Sequence, residues 1–127
     1  MNITERTVGE VTVLDLDGRL VFGEGDQVFK SRIDSLTRRG RKYIVLNMRN
    51  VTYLDSGGVG MLVWKFVTTR KEGGMIKLAS LSPRSHNVMH IAKLLQVFET
   101  FDTEEAALKS FDPELGETGA FRLPPRA

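Results

Sequence analysis

The 127-residue sequence contains no cysteine. Disulfides, thiol nucleophiles and thiolate metal sites are therefore excluded, and the absence fits a reducing cytoplasm. Long apolar runs are missing too, since stretches such as residues 43–46 are far shorter than the roughly 20 residues of a membrane-spanning helix. The first residues lack the basic and apolar segments of a secretory signal. We predict a cytoplasmic protein without membrane insertion.

The chain also lacks an excess of either charge. Its 18 basic and 16 acidic residues give a formal net charge of +2, so the pI near 9.1 does not indicate nucleic-acid binding. One basic cluster is formed by Arg38, Arg39, Arg41 and Lys42. It could contact nucleic acid or lipid headgroups, although such a cluster is more often a solvated helix end. We predict no direct DNA binding.

Length and composition are those of one globular domain. Hydrophobic residues make up 41% of the chain and charged residues 27%. Three of the four prolines and two glycines fall in residues 112–127, where no hydrophobic period is visible. We predict one folded domain over residues 1–111 and a mobile C-terminal tail over residues 112–127.

Hydrophobic periodicity predicts strands that alternate with helices. In chain order we predict strands at residues 3–8 and 11–16, a helix at 25–39, a strand at 43–48, an amphipathic helix ending at 73–74, a strand at 75–79, a helix opening at 82–83, a short strand within 97–101 and a helix over 102–111. This order predicts an α/β fold: a mixed sheet of four to five strands, with an N-terminal antiparallel hairpin and about four helices.

Several local signals sharpen these boundaries. Gly9 followed by Glu10 is typical of a type II′ hairpin turn, and residues 17–18 (Asp-Gly) are expected to break the second strand. Ser82 followed by proline is a preferred helix start. The helix that follows is expected to carry Val88, Ile91 and Leu95 inward.

One short segment combines a glycine-rich turn with a hydroxyl group. Residues 55–60 read Asp-Ser-Gly-Gly-Val-Gly and lie between a buried strand and the amphipathic helix. The glycines permit a sharp turn and close approach, and a helix N-terminus stabilises a nearby anion. Ser56 is expected to be exposed there to a kinase. Alternatively, Ser56 is simply the N-cap of the helix, and the two interpretations are compatible.

The segment also resembles a known signature. Residues 51–60 are similar to that of the STAS domain family, specifically the bacterial anti-sigma-factor antagonists, which carry Asp-Ser-Ser-Gly followed by an aliphatic residue and glycine. Residues 17–20 (Asp-Gly-Arg-Leu), the order of elements and residues 106–108 (Ala-Ala-Leu) fit the same family. The resemblance implies a STAS-like α/β fold over residues 1–111.

The resemblance further implies a phosphorylation switch. In the family, the serine matching Ser56 accepts phosphate from the anti-sigma factor, itself a serine kinase of the histidine-kinase-like ATPase fold. The unphosphorylated antagonist binds this partner and so regulates sigma-factor-dependent transcription; a serine phosphatase is expected to reverse the mark. Gly57 replaces the second serine of the family, which leaves Ser56 as the sole acceptor in the motif. How contacts through that second position are replaced stays open.

A partner surface is expected around the motif. The residues predicted to contribute are Gly23, Glu24, Asp26, Asp55, Ser56, Gly57, Gly58 and Trp64. Residues 23–26 are interpreted either as a flexible acidic contact or as a loop with favourable anions at a helix start. Trp64 lies off the apolar stripe of its helix and is either a contact or a partly buried flank residue.

Other function classes find less support. Leu54 replaces the first glycine of Gly-x-Ser-x-Gly, and Gly60 is not followed by the lysine–hydroxyl pair of a P-loop. His86 and His90 are the only histidines, with no evident third metal ligand. We therefore predict no enzyme, no cofactor and no metal site. Within the family, the alternative is a non-phosphorylated scaffold, for instance a subunit beside a membrane transporter.

Overall fold

The computed structural model describes residues 1–111, so the predicted tail at residues 112–127 lies outside the described residues. Its elements, in chain order, are β1 (Asn2–Val8), β2 (Val11–Leu20), α1 (Asp26–Arg38), β3 (Tyr43–Leu54), α2 (Ser56–Lys71), β4 (Met75–Ala79), α3 (Pro83–Ile91), β5 (Thr100–Phe101) and α4 (Glu104–Phe111).

The strands form one mixed sheet in the order β1-β2-β3-β4-β5. β1 and β2 pair antiparallel, and every other neighbouring pair is parallel. Gly9 takes a φ of 61°, as the first central position of a type II′ turn requires. Together with four helices, this arrangement confirms the predicted α/β class and the N-terminal hairpin.

The central strands are buried on both faces of the sheet. Leu14 and Leu16 of β2 belong to the larger apolar core, which α1, α2 and α3 cover. Val11 and Val13, on the opposite side of the same strand, belong to a smaller core that includes the buried residues of α4. The start of β3, residues 43–46, is likewise a continuous apolar run, as expected of a strand that is buried on both faces.

Two strands are longer than predicted. Gly18, with a φ of 119°, does not end β2; it lies at a register irregularity, after which pairing with β3 resumes up to Leu20 and Leu54. β3 continues past its predicted end at residue 48 for the same reason. Residues 17–18 do disturb the register, but β2 pairs with β3 on both sides of them, so the strand does not end there.

The inward face of α3 was predicted correctly at Val88, which is partly buried against the larger core, as is Leu95 beyond the end of the helix; it was predicted wrongly at Ile91. The buried residues of this helix are Ser85 and Met89, whereas Ile91 is 71% exposed. The helix stops at Ile91, and Lys93 takes a φ of 60°, which lets the amide of Leu94 donate to the carbonyl of Met89. Ile91 itself is still helical, and at about 100° per residue it lies on the side of α3 opposite to Met89, so it faces away from the core. The predicted start is confirmed, because Ser82 Oγ accepts from the amide of Ser85 at 3.1 Å.

Most of the basic cluster is used inside the fold. Arg39 pairs with Glu5, and the guanidinium of Arg41 donates to two carbonyls of the hairpin. Lys42 donates to the carbonyl of Glu72. Three of the four cationic side chains therefore tie neighbouring elements together.

Candidate functional site

The motif lies where the two central strands end together. Leu20 of β2 pairs with Leu54 of β3, and α2 starts two residues later at Ser56. We call this side of the sheet, where the parallel strands end, the carboxyl edge. The loop after β2 and the first turn of α2 are consequently brought side by side, although about 33 residues separate them in sequence.

Asp55 joins that loop to the helix. Its Oδ1 accepts from the amide of Gly58 at 2.9 Å, so Asp55 is the N-cap of α2. The same oxygen accepts from the amide of Phe22 at 3.1 Å. The alternative in which Ser56 is the N-cap is therefore wrong: Asp55 has the extended backbone and the side-chain bond of a cap, and Ser56 is the first helical residue.

Ser56 is exposed at the N-terminus of α2. Within residues 1–111, no side chain or backbone group hydrogen-bonds to its hydroxyl. The helix that follows has 16 residues, so its unpaired amides and dipole favour a negative charge at this end. The local geometry thus presents a hydroxyl where an added phosphate is electrostatically tolerated.

Two glycines of the motif are explained by contact with the loop. A Cβ on Gly58 would lie 1.9 Å from the carbonyl oxygen of Leu20, and a Cβ on Gly57 would lie 2.4 Å from Cβ of Phe22. Neither glycine has a positive φ, so conformational freedom is not what requires them. A Cβ on Gly60, by contrast, would meet nothing within 4 Å. Gly57 and Gly58 therefore allow the backbone of the first turn of α2 to lie against the backbone of residues 20–22.

The loop after β2 is held by its own backbone. The carbonyl of Val21 accepts from the amides of residues 24, 25 and 26. Asp26 is only 3% exposed, and its Oδ1 accepts from the amides of Gly23 at 3.0 Å and Gln27 at 2.8 Å. The interpretation of Asp26 as a flexible acidic contact therefore needs correction, because its carboxylate shapes the loop from inside.

Gly23 and Glu24, in contrast, are exposed on this loop. Glu24 approaches Arg19 with an N–O distance of 3.7 Å, and both side chains are largely solvent-exposed. The acidic group that the loop offers to its surroundings is therefore that of Glu24.

A charged cluster joins α1 to α2 beside Trp64. Lys65 Nζ lies 2.7 Å from Asp34, and Lys30 lies 2.7 Å from the other oxygen of the same carboxylate. Burial opposes ionisation of Asp34, but the hydrogen bonds and charges of both lysines outweigh it and lower its pKa. Trp64 is 49% exposed, and the Nζ of Lys65 lies 4.8 Å from its ring centroid. The Nζ of Lys30 lies 5.4 Å from the same centroid, so two ammonium groups lie beside the indole.

The sequence places the loop over residues 20–26 in the expected partner surface but does not single out Phe22 within it. Phe22 follows Leu20 and Val21, so the three together resemble the end of a strand. In the structure Phe22 is 79% exposed and borders both Asp55 and Gly57. No local signal could have found this, since it depends on a contact between distant segments.

The two histidines lie elsewhere, on the exposed surface of α3. In the described part of the chain, no group of three or more histidine and carboxylate side chains is placed to hold a metal ion. None of the helices within residues 1–111 combines the length and the apolar character needed to cross a membrane.

Residues 2–107 match the model of the STAS domain. The chain belongs to the STAS domain family. Its relatives include an anti-sigma F factor antagonist of Paenibacillus polymyxa, which is 24% identical over 80% of this chain and 87% of the relative. A STAS-domain containing protein of Pseudomonas aeruginosa is 32% identical over 72% of this chain and 88% of its own length.

Solved structures of other proteins share the fold. The anti-sigma factor antagonist SpoIIAA in its unphosphorylated form superposes with a TM-score of 0.72 at 22% identity, covering 86% of this chain and 95% of SpoIIAA. The phosphorylated form of Bacillus SpoIIAA gives a TM-score of 0.67 at 22% identity, covering 86% and 98%. A sulfate transporter family protein from Wolinella succinogenes gives 0.66 at 20% identity, covering 80% and 84%.

Proposed function

We propose that this STAS domain is an anti-sigma-factor antagonist controlled by phosphorylation of Ser56. Unphosphorylated, it binds an anti-sigma factor that is also a serine kinase; phosphate on Ser56 releases that partner, and a serine phosphatase restores binding. The exposed Ser56 hydroxyl at the start of α2 is the observation that carries the proposal. The naming of relatives as anti-sigma factor antagonists supports it.

Phosphate should change the isolated domain little. It adds a charge of about −1.5 to −2 and three acceptor oxygens. The N-terminus of an exposed helix stabilises such a charge by about 0.3–1 kcal/mol. Asp55 opposes it by repulsion, although that carboxylate already accepts from the amides of Phe22 and Gly58. The two effects act in opposite directions, and we expect the fold to persist.

The same phosphate should act strongly on a complex. A partner that covers Ser56 would strip water from the new dianion, and a buried charge is tolerated only when it is paired. A loss of about 3 kcal/mol weakens binding by more than a hundredfold. A modification that hardly affects folding can therefore decide association.

The structure divides the proposed contact residues into two groups. Glu24, Ser56 and Trp64 expose side chains that a partner can touch, and Trp64 lies roughly 12 Å along α2 from Ser56. The remaining proposed contact residues shape the backbone that presents these three side chains, because they form turns, cap α2 or allow close approach. This second group consists of Gly23, Asp26, Asp55, Gly57 and Gly58.

The test is phosphate transfer with purified candidate serine kinases from the source organism. The protein is incubated with each kinase and ATP, and added phosphate is located by mass spectrometry. We expect one phosphate on Ser56, none on Ser56→Ala, and unchanged transfer to Ser31→Ala, a matched serine exposed on α1. Ser56→Asp should bind the partner roughly a hundredfold more weakly, while Ser56→Ala stays competent.

The likeness to a sulfate transporter family protein favours a second candidate, a STAS scaffold that is never phosphorylated. On this alternative no kinase modifies Ser56, and Ser56→Asp binds its partner as tightly as the unmodified protein. Those two results together would contradict the switch and leave the scaffold.

A further inference from the structure

Phe22 has the most exposed side chain among the large hydrophobic residues within residues 1–111. Single exposed apolar residues are normal on protein surfaces, so exposure alone carries no conclusion. What distinguishes Phe22 is its position. Its backbone touches the residues on both sides of Ser56, through a hydrogen bond to Asp55 and through the close approach to Gly57.

Gly57 is needed for that approach. A Cβ at this position would lie 2.4 Å from Cβ, 2.9 Å from Cα and 3.1 Å from N of Phe22. Two of these atoms are backbone, so a side-chain rotation of Phe22 cannot relieve the overlap. Anti-sigma-factor antagonists of this family carry a serine at the position that matches Gly57. A serine at position 57 of this chain does not fit unless the loop after β2 moves.

The exchange replaces a polar group by an apolar one next to the phospho-acceptor. Gly57 lacks the second hydroxyl of the family motif, and the Cβ of Phe22 lies beside this position. The backbone of Phe22 is fixed by the hydrogen bond that its amide donates to the carboxylate of Asp55, so little backbone freedom remains to be lost on binding. Aromatic residues, phenylalanine among them, are enriched in the core of protein interfaces.

We propose that Phe22 is a specificity-determining contact, which enters an apolar pocket on the kinase that docks over Ser56, and that Gly57 is the positioning residue that puts it there. The inference rests on the proposed function and adds to it the chemistry of the partner: a surface with an apolar pocket beside its catalytic site, in place of a polar group that would bind a second serine.

The first test compares Phe22→Ala with Ile91→Ala, a nearly equally exposed apolar residue at the far end of α3. The Kd for the cognate kinase is measured by calorimetry, and KM and kcat are measured for phosphate transfer. Phe22→Ala should weaken binding by about 30-fold and raise KM with kcat nearly unchanged, because it removes uniform binding. Phe22→Leu should restore most of the affinity, and Ile91→Ala should match the unmodified protein.

The second test examines the link between Phe22 and Gly57. Gly57→Ser should weaken binding about as much as Phe22→Ala, whereas Gly60→Ser, in the same helix with open space around it, should bind normally. The double variant of Phe22→Ala and Gly57→Ser should bind no more weakly than either single variant, since both remove one contact. Circular dichroism confirms that each variant is folded.

The outcomes separate this inference from the function on which it rests. If the unmodified protein is phosphorylated on Ser56 but Phe22→Ala binds as tightly, the inference alone is overturned. Multiplicative effects of the two substitutions would overturn the positioning role of Gly57. If no kinase binds or modifies the unmodified protein, the proposed function fails and the inference fails with it.

Discussion

All four helices of residues 1–111 begin at the carboxyl edge of the sheet, and two of them, α2 and α4, are attached to it in different ways. α2 is held by backbone contact: the glycines of its first turn lie against the loop after β2, and the cap Asp55 accepts from Phe22. The first turn of α4 is attached through charged side chains, while the rest of this helix packs through Ala107, Leu108 and Phe111. Arg6 of β1 pairs with Glu104 in the first turn of α4 and also with Asp15 of β2, at 2.6 Å.

The difference bears on what each junction tolerates. A junction made by touching backbones leaves no room for an added carbon atom, yet it should respond little to salt or to a nearby charge. A junction made by partly exposed ion pairs accepts substitutions readily and is screened by salt. A phosphate can therefore be added at the start of α2 with little effect on how that helix is attached. The following variants test this comparison.

Gly58→Ala should have the largest effect. Its Cβ would lie 1.9 Å from the carbonyl oxygen of Leu20, so helix and strand must separate, and we expect a loss of about 2–3 kcal/mol in the free energy of unfolding. Gly60→Ala is the matched control. With nothing within 4 Å of the new Cβ, it should gain about 0.5–1 kcal/mol from helix propensity.

Urea denaturation of both variants measures these changes. If Gly58→Ala proved as stable as the unmodified protein, the first turn of α2 would have to be free to move. The contrast between the two helix junctions would then be lost.

Asp55→Ala should have an intermediate effect. It removes the cap of α2 and leaves the amides of Phe22 and Gly58 without their acceptor, which should cost about 1–2 kcal/mol in the free energy of unfolding. Asp55→Asn keeps an acceptor oxygen and should recover most of that loss. Amide hydrogen exchange should show faster exchange at Phe22 and Gly58 in the alanine variant alone; equal protection in both variants would contradict the bridging role.

Arg6→Ala should have the smallest effect, at most about 1 kcal/mol, because the pairs it breaks are partly exposed. Hydrogen bonds from Arg6, aided by Asn47, hold the pKa of Asp15 below its ordinary value of 3.8. A lowered pKa stabilises the folded state above pH 3.8, and this contribution disappears as the pH falls through the folded pKa.

Thermal unfolding of Arg6→Ala and the unmodified protein should therefore differ at pH 7 and converge only as the pH falls from 3.8 through the lower folded pKa of Asp15. The difference should also shrink in 1 M salt. A gap that is independent of pH and salt would show that α4 is not held by these charges.

The sequence was sufficient for much of the fold because the decisive signals are local. Apolar periodicity and stop signals predicted the helices and strands, and Ser82 was recognised as a cap because its partner amide is three residues away. The position of Ser56 at a strand-to-helix junction follows from the same kind of signal. Errors occurred where distant pairing overrides a local break, as at Gly18, or where tertiary packing buries another face of a helix, as at Ile91.

The sequence by itself therefore determined the order of elements, the buried character of the central strands and the hydroxyl at the start of α2. Only the tertiary structure decided that Asp55 is the cap and the bridge to the loop, that Asp26 points inward, and that Phe22 lies against Gly57. The physical reason is distance along the chain. A glycine that is required by contact with a backbone some 35 residues away resembles, in sequence, a glycine that merely permits a turn.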